Sequence, residues 1–191
     1  MKALSKIVPL VIAMFLITGT AFTQVTASAT ASATILTPIA ISKTVDMNFG
    51  NLAVNATAGT IVLTPESART ATGGVTFLPT NAGTITAASF TVVGLEDATY
   101  AITLPSGPTI IENGGNQMTV DTWTSTPTPT GTLTGGSQTL NVGATLNVPA
   151  SSAAGVYTSA TPFNVTVNYN YSNIEKKLIN ERGLISSFIY C

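Results

Sequence analysis

The chain has 191 residues, 45% of them apolar and only 8% charged, against about a quarter charged in an ordinary soluble domain. About 34 threonines, 16 glycines and 10 prolines supply most of the rest, which suits neither helical bundles, built on charged residues and Leu, nor disordered segments of high net charge. With no histidine and one cysteine, Cys191, His-based triads, His-ligated metals, internal disulfides and cysteine clusters are excluded, and a structural or binding protein without a cofactor is expected.

Lys2 and Lys6 flank the start of an apolar run at residues 7–17 (IVPLVIAMFLI). That run has the length of a signal-peptide core and falls well short of the ~20 residues that cross a bilayer. Residues 1–27 therefore read as a signal-peptide helix with its cut anywhere over 21–29, and no membrane span is expected after removal. Residues 28–34 follow as a leader. Across this region Val25, Ala27, Ala29, Ala31, Ala33 and Ile35 alternate with Thr26, Ser28, Thr30, Ser32 and Thr34, the period of a strand. The pattern is clear but thinly filled, because an alanine methyl contributes about 0.8 kcal/mol on burial and Val or Ile about 1.5–3. Two readings stand: a flexible leader, or a donor strand for another subunit.

Residues 35–170 read as a single all-β domain. Candidate strands lie at 35–42, 44–49, 60–64, 75–78, 89–93, 100–104, 109–111, 118–123, 138–142, 145–148, 156–158 and 163–169, where apolar and polar residues alternate between Gly, Pro and Asn punctuation. So many short strands predict an antiparallel β-sandwich, immunoglobulin-like or pilin-like. Threonine suits its outer faces, being stiff in the extended form and compatible with water. Pro38 marks the first strand as an edge, and Pro65, Pro79, Pro105 and Pro149 sit at strand ends. Asn113-Gly114-Gly115-Asn116 and Thr72-Gly73-Gly74 read as turns. The low-complexity stretch 124–136 (TSTPTPTGTLTGG) reads as a long surface loop, and Phe49, Phe90, Tyr100, Trp123, Tyr157 and Phe163 as the large core pieces.

The last candidate strand has a strict period of two. Phe163, Val165, Val167 and Tyr169 share one face, and Asn164, Thr166, Asn168 and Asn170 the other. It reads as an ordinary sandwich strand or as an assembly strand. Beyond it, residues 171–191 form an atypical charged tail, read as poorly ordered. The body itself carries Lys43 and Arg69 against six carboxylates, too few cations to follow a nucleic-acid backbone. Glu96-Asp97 reads as a solvated turn, since neighbours on a strand face opposite ways. Asp46, Asn48 and Asn51 lack the charge of a Ca²⁺ loop. Lys43, the sole body lysine, is a candidate for an amide crosslink to Asn164, Asn168 or Asn170.

Several segments together resemble one bacterial family: Asn48-Phe49-Gly50, GTIVLTP from Gly59, ASFTVVG from Ala88, YAITLP from Tyr100, VGATLNVP from Val142, GVYT from Gly155 and FNVTVNYN from Phe163. This set is similar to the bacterial domain of unknown function 4402 family, whose secreted members resemble fimbrial subunits. The resemblance implies a pilin-like sandwich at the cell surface, without enzyme activity or a known ligand. A non-enzymatic fimbrial or pilus-like subunit is therefore expected in the periplasm, at the cell surface or in a fimbrium. Its expected partners are other copies of itself or related subunits, and a periplasmic chaperone. The second reading is a monomeric envelope adhesin or carbohydrate-binding module.

Overall fold

The computed structural model describes residues 24–170, so the expected signal helix, up to residue 23, and the tail 171–191 lie outside the described residues. The chain divides at Ile35/Leu36 into two units. In the first, every residue from Gln24 to Ile35 is exposed. Among the described residues the second holds twelve strands: β1 (Ala40–Val45), β2 (Asn48–Phe49), β3 (Leu52–Leu63), β4 (Arg69–Phe77), β5 (Ile85–Thr86), β6 (Ala88–Val93), β7 (Thr99–Thr103), β8 (Thr109–Asn113), β9 (Asn116–Thr126), β10 (Thr130–Thr132), β11 (Ser137–Val148) and β12 (Thr166–Tyr169).

β11 organises the molecule. Leu140, Val142, Ala144, Leu146 and Val148 are all buried on one face, while Thr139 is exposed and Asn141, Thr145 and Asn147 are half-buried on the other, the period-two signature of a strand covered on one side. Along one edge β11 pairs with β6 through Val142, then with β3 from Ala144 onward. Gly143 stands at the change of partner, where a β-carbon would lie 2.2 Å from the Leu63 carbonyl oxygen. Along the other edge it pairs with β9, which forms a hairpin with β8. The large sheet thus runs β1-β6-β11-β3-β4 with β9 and β8 attached, beside a three-stranded sheet β10-β7-β12 and the short pair β2-β5. All the pairings are antiparallel, and the fold is an all-β sandwich.

Two apolar clusters lie along β11. In one, Ala88, Val92, Leu140 and Val142 of the large sheet meet Tyr100 and Val167 of the three-stranded sheet and Leu133. In the other, Ile61, Leu63, Val75, Met118, Val120, Ala144, Leu146 and Val148 meet Phe49 of the short β2-β5 pair. Among the described residues a full second sheet therefore covers only the first cluster.

Three sequence expectations change. Thr72-Gly73-Gly74 is no turn: β4 runs through it, and the register against β3 shifts between Val54 and Gly59. The extra residues of this irregularity lie on β3, four between Val54 and Gly59 against the single Gly74 on β4. Gly73 has φ +67°, and β-carbons on Gly59 and Gly74 would strike the Thr72 and Thr57 carbonyl oxygens, so the glycines permit the close backbone approach there. The stretch 124–136 is not a free surface loop, because it contains the end of β9, β10 and a 3-10 turn at Thr134–Gly136, and it places Leu133 fully buried. The candidates 35–42 and 44–49 are redivided as β1 and the short β2, the last candidate shortens to β12, and 156–158 supplies only a bridge between Thr158 and Glu112 of β8. Asn113-Gly114-Gly115-Asn116 does close the β8–β9 hairpin, with both glycines at positive φ.

Candidate functional site

One side of the sandwich is built, among the described residues, by two of its edge strands, β1 and β12. β1 has β6 as its only strand neighbour and β12 has only β7, and β1 and β12 approach one another with no ladder between them among the described residues. In β12 the Asn170 N–H donates to the Thr99 carbonyl at 3.0 Å, in phase with the pairs Asn168↔Ala101 and Thr166↔Thr103. Alternation along an antiparallel strand then turns the N–H and C=O groups of Val165, Val167 and Tyr169 away from β7, toward the seam. These are the residues whose side chains point inward: Val167 is buried, Phe163, Val165 and Tyr169 are half-buried, and Asn164, Thr166 and Asn168 are exposed.

At its upper end the seam is pinned by Tyr169. Its hydroxyl donates to the Thr37 carbonyl at 2.9 Å and accepts the Leu95 N–H at 2.6 Å. Gly94 makes room for it, since a β-carbon there would lie 2.2 Å from the hydroxyl oxygen.

At its lower end the seam opens into a cleft of about 1090 Å³ over the cluster that lacks a second sheet. One wall is the chain between residues 43 and 54; the other lies between 152 and 163. Ile111, Met118, Val120 and Leu146 form the floor. Of the six aromatic residues expected in the core, Tyr100 and Phe49 are buried in it, while Phe90, Trp123, Tyr157 and Phe163 pack against the core clusters from their partly exposed margin; all but Tyr100 line this cleft. Phe163 lies 4.5 Å from Trp123, ring centre to ring centre, and 6.4 Å from Phe90 edge-on, within the range of favourable aromatic pairs. The Trp123 indole N–H donates to the Gly107 carbonyl at 3.2 Å.

Arg69 fixes the first wall. Its guanidinium donates to the Phe49 carbonyl, to the Asn51 carbonyl at 3.2 Å and to the Ala82 carbonyl at 3.4 Å, and its charged end lies 4.1 Å from the Phe77 ring centre. Burial moves its pKa downward. Sequence reading missed this role, and an arginine among few charges was the only signal that could have suggested it.

Other candidates are engaged elsewhere. Lys43 Nζ donates to Asp46 Oδ1 at 2.6 Å, which places the lysine on a carboxylate rather than on an asparagine. Asn48 Oδ1 accepts the Gly50 N–H, and Asn51 Nδ2 donates to Asn81. Among the described residues there is no group of three metal-binding side chains, and no helix is long and apolar enough to cross a membrane.

Fold and seam together define an antiparallel β-sandwich in which the facing edges of β1 and β12 are not joined by a ladder among the described residues. Residues 39–169 match a family model described as a domain of unknown function, DUF4402, and the chain belongs to that family. No curated protein and no solved structure matches it.

Proposed function

We propose that this protein is an exported, non-enzymatic structural subunit of a fimbrial or pilus-like surface polymer that assembles by strand complementation. The observation that carries this reading is the free edge of β12, where the backbone groups of Val165, Val167 and Tyr169 face an open seam beside half-covered apolar side chains. An extended segment from a partner completes such an edge through main-chain hydrogen bonds, and alternate side chains fill the groove. Export is supported by the apolar run at 7–17 after Lys2 and Lys6. A sequence without histidine, and with Glu96-Asp97 in a tight turn where Asp97 has φ +55°, supports a structural role.

The aromatic cleft favours the second reading, a monomeric envelope adhesin or carbohydrate-binding module. Against it, the Trp123 ring packs at a 39° tilt against Phe163 and its N–H is already donated to the Gly107 carbonyl, so both are engaged within the protein. Light scattering on the exported, mature protein, with gels run without boiling, separates the two. Concentration-dependent multimers support the subunit reading, and a monomer at every concentration overturns it.

A further inference from the structure

We infer that the occupant of the seam and cleft is residues 25–35 of a second copy of this chain, an inference that rests on the strand-complementation reading above. Residues 24–35 are exposed throughout, with Val25 at 90% and Ile35 at 96%, although their apolar side chains alternate as in a half-buried strand. As an extended strand the eleven residues from 25 to 35 span about 36 Å at ~3.3 Å each. That exceeds the seven residues of the 163–169 run, so the segment can pair along the β12 edge and continue into the cleft.

Chemistry and shape agree with this occupant. No charged residue occurs between residues 24 and 42. Among the described residues the only charges lining the cleft are Lys43 and Asp46, which pair with each other, so an uncharged strand leaves neither of them unpartnered. The acceptor side already supplies bulk: Phe49, Phe90, Trp123, Tyr157 and Phe163 fill the cleft walls. Small alanine methyls can interdigitate with such rings. Phe163 joins the two halves of the acceptor, lining the cleft and opening the run that ends in β12.

The test exploits the period of two. In full-length protein, exported and with its mature N-terminus determined, Ala31→Asp puts a carboxylate on the inward face of the donor and Ser32→Asp puts one on the outward face. Both positions are exposed, so the fold of the body is untouched by either. The inference predicts that Ala31→Asp raises the concentration at which multimers form by at least tenfold, while Ser32→Asp changes it by less than about twofold. Equal effects of the two variants, or none from either, overturn residues 25–35 as the donor while multimers of the unaltered protein keep the broader reading intact. A mature N-terminus beyond residue 31 also overturns it. If the unaltered protein forms no multimers, both readings fall together. A second readout is crosslinking in the Cys191→Ser background: Ala31→Cys in one copy is expected to form a disulfide with Val156→Cys at the cleft of another, at least tenfold more than with Thr130→Cys on β10.

Discussion

The Tyr169 hydroxyl donates to the carbonyl of Thr37 across 2.9 Å, joining residues 132 positions apart in the sequence. The last strand is thereby tied to the chain just before the first, and the seam between the two edges is held at one end and open at the other. Gly94 sits against the same hydroxyl. Gly94→Ala is therefore expected to displace Tyr169, release Thr37 and Leu95, and lower stability by about 0.5–1.5 kcal/mol, the usual net contribution of a hydrogen bond. Urea unfolding of the two proteins checks this, and an unchanged midpoint would contradict the pinning role.

Leu133 tests whether the threonine-rich stretch belongs to the fold. Its side chain is fully buried between the two sheets, so Leu133→Ala is expected to cost about 2–5 kcal/mol by creating a core cavity. A loss below 0.5 kcal/mol in chemical denaturation would return the stretch to the status of a surface loop.

Arg69 is expected to behave as a clamp rather than as a surface charge. Arg69→Met keeps apolar bulk over Phe77 but removes the donors to the Phe49, Asn51 and Ala82 carbonyls. Hydrogen bonds to charged groups contribute about 1.5–3 kcal/mol each, and partial exposure puts the total near the lower end of that range. The same variant should alter Trp123 fluorescence, because the wall that Arg69 holds faces Trp123 across the cleft. Unchanged stability and emission would count against the clamp.

Alkaline pH should act through Tyr100. Burial raises its pKa above the ordinary value of 10.0, and its hydroxyl donates to Gln138 Oε1 at 2.9 Å. Above the unfolded pKa the unfolded chain releases this proton while the folded protein retains it. Stability is thus unaffected by this group below about pH 10 and falls as pH rises toward the elevated folded value. Stability curves of the unaltered protein and Tyr100→Phe are expected to converge as pH increases through that window; parallel curves would contradict it.

Much of the fold is legible in local pattern. The alternation of 163–169, the Asn113–Asn116 turn and the prolines beyond strand ends each report on a few neighbouring residues, and strand geometry acts on that scale. What local pattern left out depends on distant pairing. Gly73-Gly74 signals positive φ and close approach, but only the pairing with Gly59 on β3 decides between a bulge and a reversal. Leu133 is one apolar residue among threonines, and its burial is set by β7 and β11, far away in sequence. The aromatic residues were legible as large and apolar, yet side-chain size does not reveal that, among the described residues, the sheet covering one cluster does not extend over the other. The cleft exists only once residues 43–54 and 152–163 face each other, and no single segment encodes that.

Amide hydrogen exchange at Val165, Val167 and Tyr169 tests the open edge most directly. Exchange is compared in monomeric and multimeric fractions of the exported protein, with Thr166 and Asn168, which face β7, as internal references. The account predicts at least tenfold slower exchange at Val165, Val167 and Tyr169 in the multimer and little change at Thr166 and Asn168. Multimers whose Val165, Val167 and Tyr169 amides exchange as fast as in the monomer would contradict assembly through this edge.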